Sequence, residues 1–212
     1  MDDPYPGNIF NLMISAIPAD GDTSAVSIIL KIALLFVLIL VNAFFAMSEI
    51  AMISLNDTKI EKLAEEGDKK AKQILKLTQN SSNFLSTIQI GVTLAGFLTS
   101  ASAADSFAPL ITQAVSPLIP AIPESVIDTV ALILITIIIS YFSLVFGELA
   151  PKKIGMQKSE KVAYKVVGIL LFVMKVTKPF VKILSMSTNG IVRLFGIDPL
   201  ADEEEVTEEE IL

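Results

Sequence analysis

Residues 28 to 55 read IILKIALLFVLILVNAFFAMSEIAMISL, an apolar run broken only by Lys31, Asn42, the Ser48-Glu49 pair and Ser54 near its end. A helix crosses the roughly 30 Å of bilayer hydrocarbon with about 20 apolar residues, so this stretch is long enough to span. Lipid offers no hydrogen bonds to the backbone, and a spanning segment of this composition must satisfy its own as a helix. Two further stretches lie at about 84–104 (FLSTIQIGVTLAGFLTSASAA) and about 126–147. The second of the three is rich in Gly, Ser and Thr and reads as a packed helix rather than a lipid-facing one. The fold expected is an all-α membrane protein with a three-span core over residues 27–155.

The rest of the chain fits around that core. The sequence has 212 residues, 52% of them hydrophobic, with 16 bases against 23 acids and no histidine or cysteine. Disulfides, thiol chemistry, imidazole bases and the usual zinc ligands are thereby excluded. A bound metal would be a hard cation held by oxygen. The net charge of −7 owes much to the closing DEEEVTEEE, read with 197–212 as an acidic linker, and nucleic acid is not an expected partner. Residues 1–26 contain no lysine or arginine, unlike the basic start of a signal peptide, and read as an external tail.

Lysine and arginine mark the cytoplasmic connections of membrane proteins. They concentrate in residues 56–83 and 149–212 and are absent from 1–26 and 105–125, which places the N-terminus outside and the C-terminus in the cytoplasm of a bacterial or archaeal plasma membrane. Residues 57–79 carry apolar positions at spacings of three and four and predict a helix broken near Gly67, with Asn56 or Asp57 as cap. The proline-rich 105–125 segment predicts a compact irregular cover. Residues 156–196 are apolar enough to suggest a fourth span. On a helix, however, Lys165, Lys175, Lys178, Lys182 and Arg193 gather on one side, which favours an amphipathic helix at the inner, lipid-facing interface, interrupted at Pro179.

Polar residues inside spans are costly, and their placement is informative. Ser86, Gln89, Thr93, Gly96 and Ser100 form one stripe of the second span. Thr129, Thr136, Ser140, Ser143 and Gly147 form one stripe of the third, with Glu148 at its inner end. Such stripes serve as packing seams as readily as ligand surfaces. Two carboxylates, Glu49 and Glu148, tilt the balance towards a cation site, although contact with Lys152 or Lys153 would also account for them. In YFSLVFGELAPKKIG, residues 141–155, Pro151 lacks the N–H that would close the turn onto Gly147, so an interrupted helix with free carbonyls beside Glu148 is expected. Asn42, Glu49, Gln89 and Ser143 are candidates for a coupling ion or gate. No nucleophile and base pair or phosphate loop stands out, and the chain is not read as an enzyme.

The motifs NAFFAMSEIAMISL, FLSTIQIGVTLAGF and YFSLVFGELAPKKI, in this order and spacing, resemble the signature regions of the CNNM/CorC family, including bacterial members called hemolysin-like. The resemblance implies a dimeric three-span transport domain with juxtamembrane helices, followed by cytoplasmic CBS modules that bind ATP. It implies magnesium or cobalt efflux, coupled to Na⁺, by alternating access. The acidic Gly-Glu of the third signature falls on Gly147 and Glu148, with Pro151 and Lys152 completing the motif. Ser48 and Glu49 match the end of the first signature, and Gly91 and Thr93 fall in the second. Ser48, Gly91, Thr93, Gly147 and Glu148 are therefore the metal ligands that the resemblance implies. Ala46 and Val92 stand where better-understood members have serine and asparagine ligands, which is similar to a GVTL or GITL subgroup with a polyamine-exporting branch. An organic polycation is accordingly the alternative cargo, and a non-transporting scaffold or sensor the third reading.

Overall fold

A computed structural model describes residues 25–79 and 81–196, so the expected external tail and acidic linker lie outside the described residues. Among these residues the regular structure is all helical, and three helices are long and apolar enough to cross a membrane. The chain divides into two compact units, one formed by residues up to Asp57 with Ile88–Tyr164, the other by Thr58–Thr87 with the residues from Lys165 onward.

The first unit is built on helix α1, Ala25–Ile53. Its N-terminal half presents Val26, Ile29, Leu30, Ile32, Phe36 and Val37 to the surroundings. So continuous an apolar surface is stable where the solvent is lipid. The C-terminal half buries Asn42, Phe45, Ala46, Ser48, Ala51 and Met52, one broad stripe at helical spacing. That stripe packs along the short helix α6, Ala150–Gln157, and along the turn preceding it. Close approach is possible because residue 155 is glycine: a Cβ there would lie 2.5 Å from the Met47 carbonyl oxygen and 2.6 Å from Ile50 Cγ2.

Helix α4 runs from Ser81 to Val115, passes through Pro109 and continues as a 3₁₀ turn at Ser116–Leu118. The irregular cover expected over 105–125 is therefore mostly helix, and the true connection to α5 is a few residues long. Beyond the proline, the far end of the helix is anchored. Ala103, Ala108 and Thr112 are buried, and the Thr112 hydroxyl lies 3.1 Å from the Ala108 carbonyl and 2.7 Å from Asp128 Oδ1 on α5. A serine or threonine hydroxyl beside a proline is a common means of keeping a membrane helix intact.

Helix α5, Glu124–Leu144, leads into a π-helical turn at Val145–Leu149 and then into α6. The interruption expected at Gly147 and Pro151 does not occur. The chain instead widens by one residue, with the Ala150 N–H donating to the Val145 carbonyl, and a π-turn of this kind accommodates a missing donor without ending the helix.

In the second unit, α2 (Asp57–Glu65) and α3 (Lys69–Gln79) are separated at Gly67, whose φ of +99° suits glycine. Asp68 caps α3 by accepting from the Lys70 and Ala71 N–H groups at 2.8 and 2.9 Å. Ile60, Ala64, Ala71, Ile74 and Leu77 are buried, as are Val167 and Leu170 of helix α7, Ser159–Leu194. Pro179 sits inside α7 without interrupting it, another departure from the sequence-based expectation. Lys165, Lys175, Lys178, Lys182 and Arg193 are exposed on this helix, beside an exposed apolar face of Ile169, Phe172, Val176, Phe180 and Ile183.

Candidate functional site

The polar stripes of α4 and α5 line one cleft in the first unit. Its volume is about 330 Å³, and its walls are Thr93, Gly96 and Ser100 with Val92 and Phe97 from α4, Ser140, Ser143 and Leu144 from α5, Asn42 from α1 and Glu148 from the π-turn. Four hydroxyls, one amide and one carboxylate thus converge from three stretches far apart in sequence. The apolar members come from positions one or four residues along the same helices, as a 3.6-residue period requires.

Asn42 is the unusual member. Its side chain is 4% exposed, and among the described residues its Oδ1 atom accepts no hydrogen bond. Leaving a buried acceptor unpaired costs about 1–3 kcal/mol, so its position on the cleft wall marks a place prepared for a donor or a cation. The same side chain touches Gly147, where a Cβ would meet Asn42 Nδ2 at 2.9 Å. Glycine in the π-turn thereby lets Asn42 and Glu148 share one end of the cleft.

Glu148 carries the site's charge. Its Oε1 accepts from Lys152 Nζ at 3.0 Å, and the same ammonium lies 3.4 Å from Glu49 Oε2 on α1. The pairing with Lys152 that the sequence allowed is therefore present, and it ties both intramembrane carboxylates to one base. Each side chain of the trio retains between a quarter and a third of its exposure, so the cluster is reachable rather than sealed. Among the described residues no three acidic side chains converge on one point, and a metal held here would draw mainly on neutral oxygens and water.

The other sequence candidates fall in different places. Thr93, Ser143 and Asn42 line the cleft together with Glu148. Gln89 is exposed, with its amide nitrogen 3.4 Å from Thr93 Oγ1. Ser48 is fully buried and donates to the Phe44 carbonyl at 2.6 Å, outside the cleft lining. Gly91 is where α4 meets the Phe45 ring, with Cε2 2.6 Å from the position of a Cβ. Pro151 is buried at the start of α6. Ser100 and Ser140 belong to the polar stripes without having been singled out as ligands, and their i, i+3 and i+4 spacing was the available signal.

The sequence profile described as the cyclin M transmembrane N-terminal domain matches residues 33–212. The chain belongs to the CNNM family. Among relatives of this CNNM domain, the UPF0053 protein sll0260 of Synechocystis is 37% identical over 185 residues, 87% of this chain and 41% of that protein. The UPF0053 protein YugS of Bacillus subtilis is 33% identical over 189 residues, covering 87% and 43% respectively. A protein of Salmonella typhimurium named polyamine export protein is 30% identical over 181 residues, covering 85% and 40%. The chain spans about two-fifths of the length of these curated relatives. The three signature regions lie within the matched residues of the CNNM domain, and they supply every lining residue of the cleft except Ser100 and Ser140.

Proposed function

We propose that this CNNM domain is the membrane part of a cation exporter and that its cargo binds in the cleft bounded by Glu148 and Asn42. The observation that carries this reading is the unpartnered Asn42 oxygen on the same wall as a carboxylate. An acceptor held ready inside a span suits a positively charged guest. Hydroxyls at Thr93, Ser100, Ser140 and Ser143 complete an oxygen lining.

The cargo proposed is Mg²⁺, with Co²⁺ as a related divalent ion. Magnesium gives up its water reluctantly and takes one or two carboxylates with several waters retained. One carboxylate, neutral oxygens and space for about ten waters at 30 Å³ each match that demand. Export would proceed by alternating access, driven by Na⁺, with Glu49 and Gln89 near the site as gating or coupling groups. A second reading is a polyamine cargo. It is favoured by the seating of the Lys152 ammonium between two carboxylates and by the printed name of the Salmonella relative.

The working protein is proposed as a homodimer whose CBS modules, beyond this chain, bind ATP. The N-terminus would lie outside a bacterial or archaeal plasma membrane and α7 along its inner surface, its lysines among anionic headgroups and Phe172, Val176 and Phe180 among acyl chains.

Calorimetric titration of Mg²⁺, and separately of spermidine, into the purified domain and Glu148→Gln tests the reading. Mg²⁺ heat lost in the variant is the expected result. Mutant-sensitive heat from spermidine alone would move the cargo to the polyamine. Silence from both would favour a scaffold or sensor over a transporter.

A further inference from the structure

Lys152 is one helical turn beyond Glu148, and a Glu-to-Lys pair at this spacing is ordinarily a modest helix-surface contact. Here a second acid reaches the same ammonium from another helix: Nζ is 3.0 Å from Glu148 Oε1 and 3.4 Å from Glu49 Oε2. The two acids are not equivalent, since Glu148 lines the cleft and Glu49 does not. The lysine therefore stands with one contact on the proposed cargo ligand and one away from it.

Charge decides how such a lysine responds to an incoming cation. Two carboxylates and one ammonium leave a single net negative charge. A divalent cation arriving at Glu148 while Lys152 still holds that carboxylate would put two positive centres on one group, in surroundings where like charges repel more strongly than in water. Lysine carries its charge on a flexible four-carbon stem and can change partners without moving its backbone. Glu49 is already within reach. On the cation-site reading above, we propose that Lys152 is a tethered internal cation that competes with cargo for Glu148, and that loading the cleft hands Lys152 over to Glu49. Lys152 is thus a positioning residue that sets cargo affinity, and Glu49 is the seat that lets cargo in.

This arrangement makes a prediction of opposite signs. Removing the competitor in Lys152→Met should tighten Mg²⁺ binding at least about fivefold, the lower end of typical coupling between sites. Removing the alternative seat in Glu49→Gln, which leaves Lys152 wholly to Glu148, should weaken it by a similar factor. A merely structural role would lower affinity in both variants or in neither.

The experiment is Mg²⁺ calorimetry on the wild-type domain, Lys152→Met, Glu49→Gln and Glu148→Gln, with Lys152→Arg as a control that keeps the charge and should not tighten binding. Movements in opposite directions support the proposal. Binding that is lost in Glu148→Gln yet shifts the same way, or not at all, in the other two overturns the role of Lys152 and leaves the cation site standing. Absence of Mg²⁺ heat from the wild type overturns both for that ion.

Discussion

Gly147 faces Asn42 so closely that a Cβ on the glycine would lie 2.9 Å from the Asn42 amide nitrogen and 3.5 Å from its Cβ. The obstacle is the tip of a side chain and not backbone. Gly147→Ala should therefore be absorbed by rotation of the Asn42 amide, at a stability cost of about 1 kcal/mol, near the low end for overpacking. The displaced amide no longer holds its place in the cleft lining, and Mg²⁺ affinity should fall about tenfold. Thermal unfolding in detergent and calorimetry on the same sample separate the two effects.

Gly155 gives the contrasting case. A Cβ there would meet the Met47 carbonyl oxygen at 2.5 Å, and a backbone atom inside α1 cannot rotate away. Gly155→Ala should push α1 and α6 apart and destabilise the domain by about 3 kcal/mol, seen as a clearly lowered unfolding midpoint and loss of monodisperse protein on size exclusion.

Replacing Asn42 by leucine tests whether the unpaired oxygen is kept for a guest. Removing a buried acceptor that has no partner is expected to be neutral or to stabilise by about 1 kcal/mol. If Asn42 Oδ1 serves the cation, Asn42→Leu should hold or raise the unfolding midpoint while weakening Mg²⁺ binding about tenfold. A variant both less stable and unchanged in binding would make Asn42 a packing residue.

At the other end of α4, Thr112→Val removes the 2.7 Å bond to Asp128 and keeps the shape of the side chain. The expected loss is about 1–2 kcal/mol, since the acceptor is a carboxylate. Hydrogen exchange should quicken over residues 105–128, and Mg²⁺ affinity at the distant cleft should stay as it was.

The spans were legible because their signal is one of amount: the charge-poor run at 28–55 admits a single reading in lipid. The stripes were legible because Thr93, Gly96 and Ser100 repeat at the helical period, and the structure does bring them to Ser140 and Ser143. Prolines misled in three places. Pro109, Pro151 and Pro179 all read as breaks, and each lies within a continuous helical path. A proline removes one donor, but whether the helix ends depends on compensation from elsewhere, such as the widened turn at Val145–Leu149, which spacing alone does not reveal. Contact of Glu49 and Glu148 with Lys152 or Lys153 was open in the sequence, but that one ammonium bridges both acids was not legible, because Glu49 and Lys152 lie a hundred positions apart.

The widened turn at Val145–Leu149 also acts as a phase shifter. One extra residue rotates every later side chain by about 100° around the axis relative to an unbroken α-helix; before it, α5 brings Ser140 and Ser143 to the cleft, and after it, α6 sets Gly155 against α1. The extra residue is thus a stored increment of rotation, and closing it into an ordinary turn would swing Glu148 and Lys152 together, like a cam, without altering the length of a single side chain.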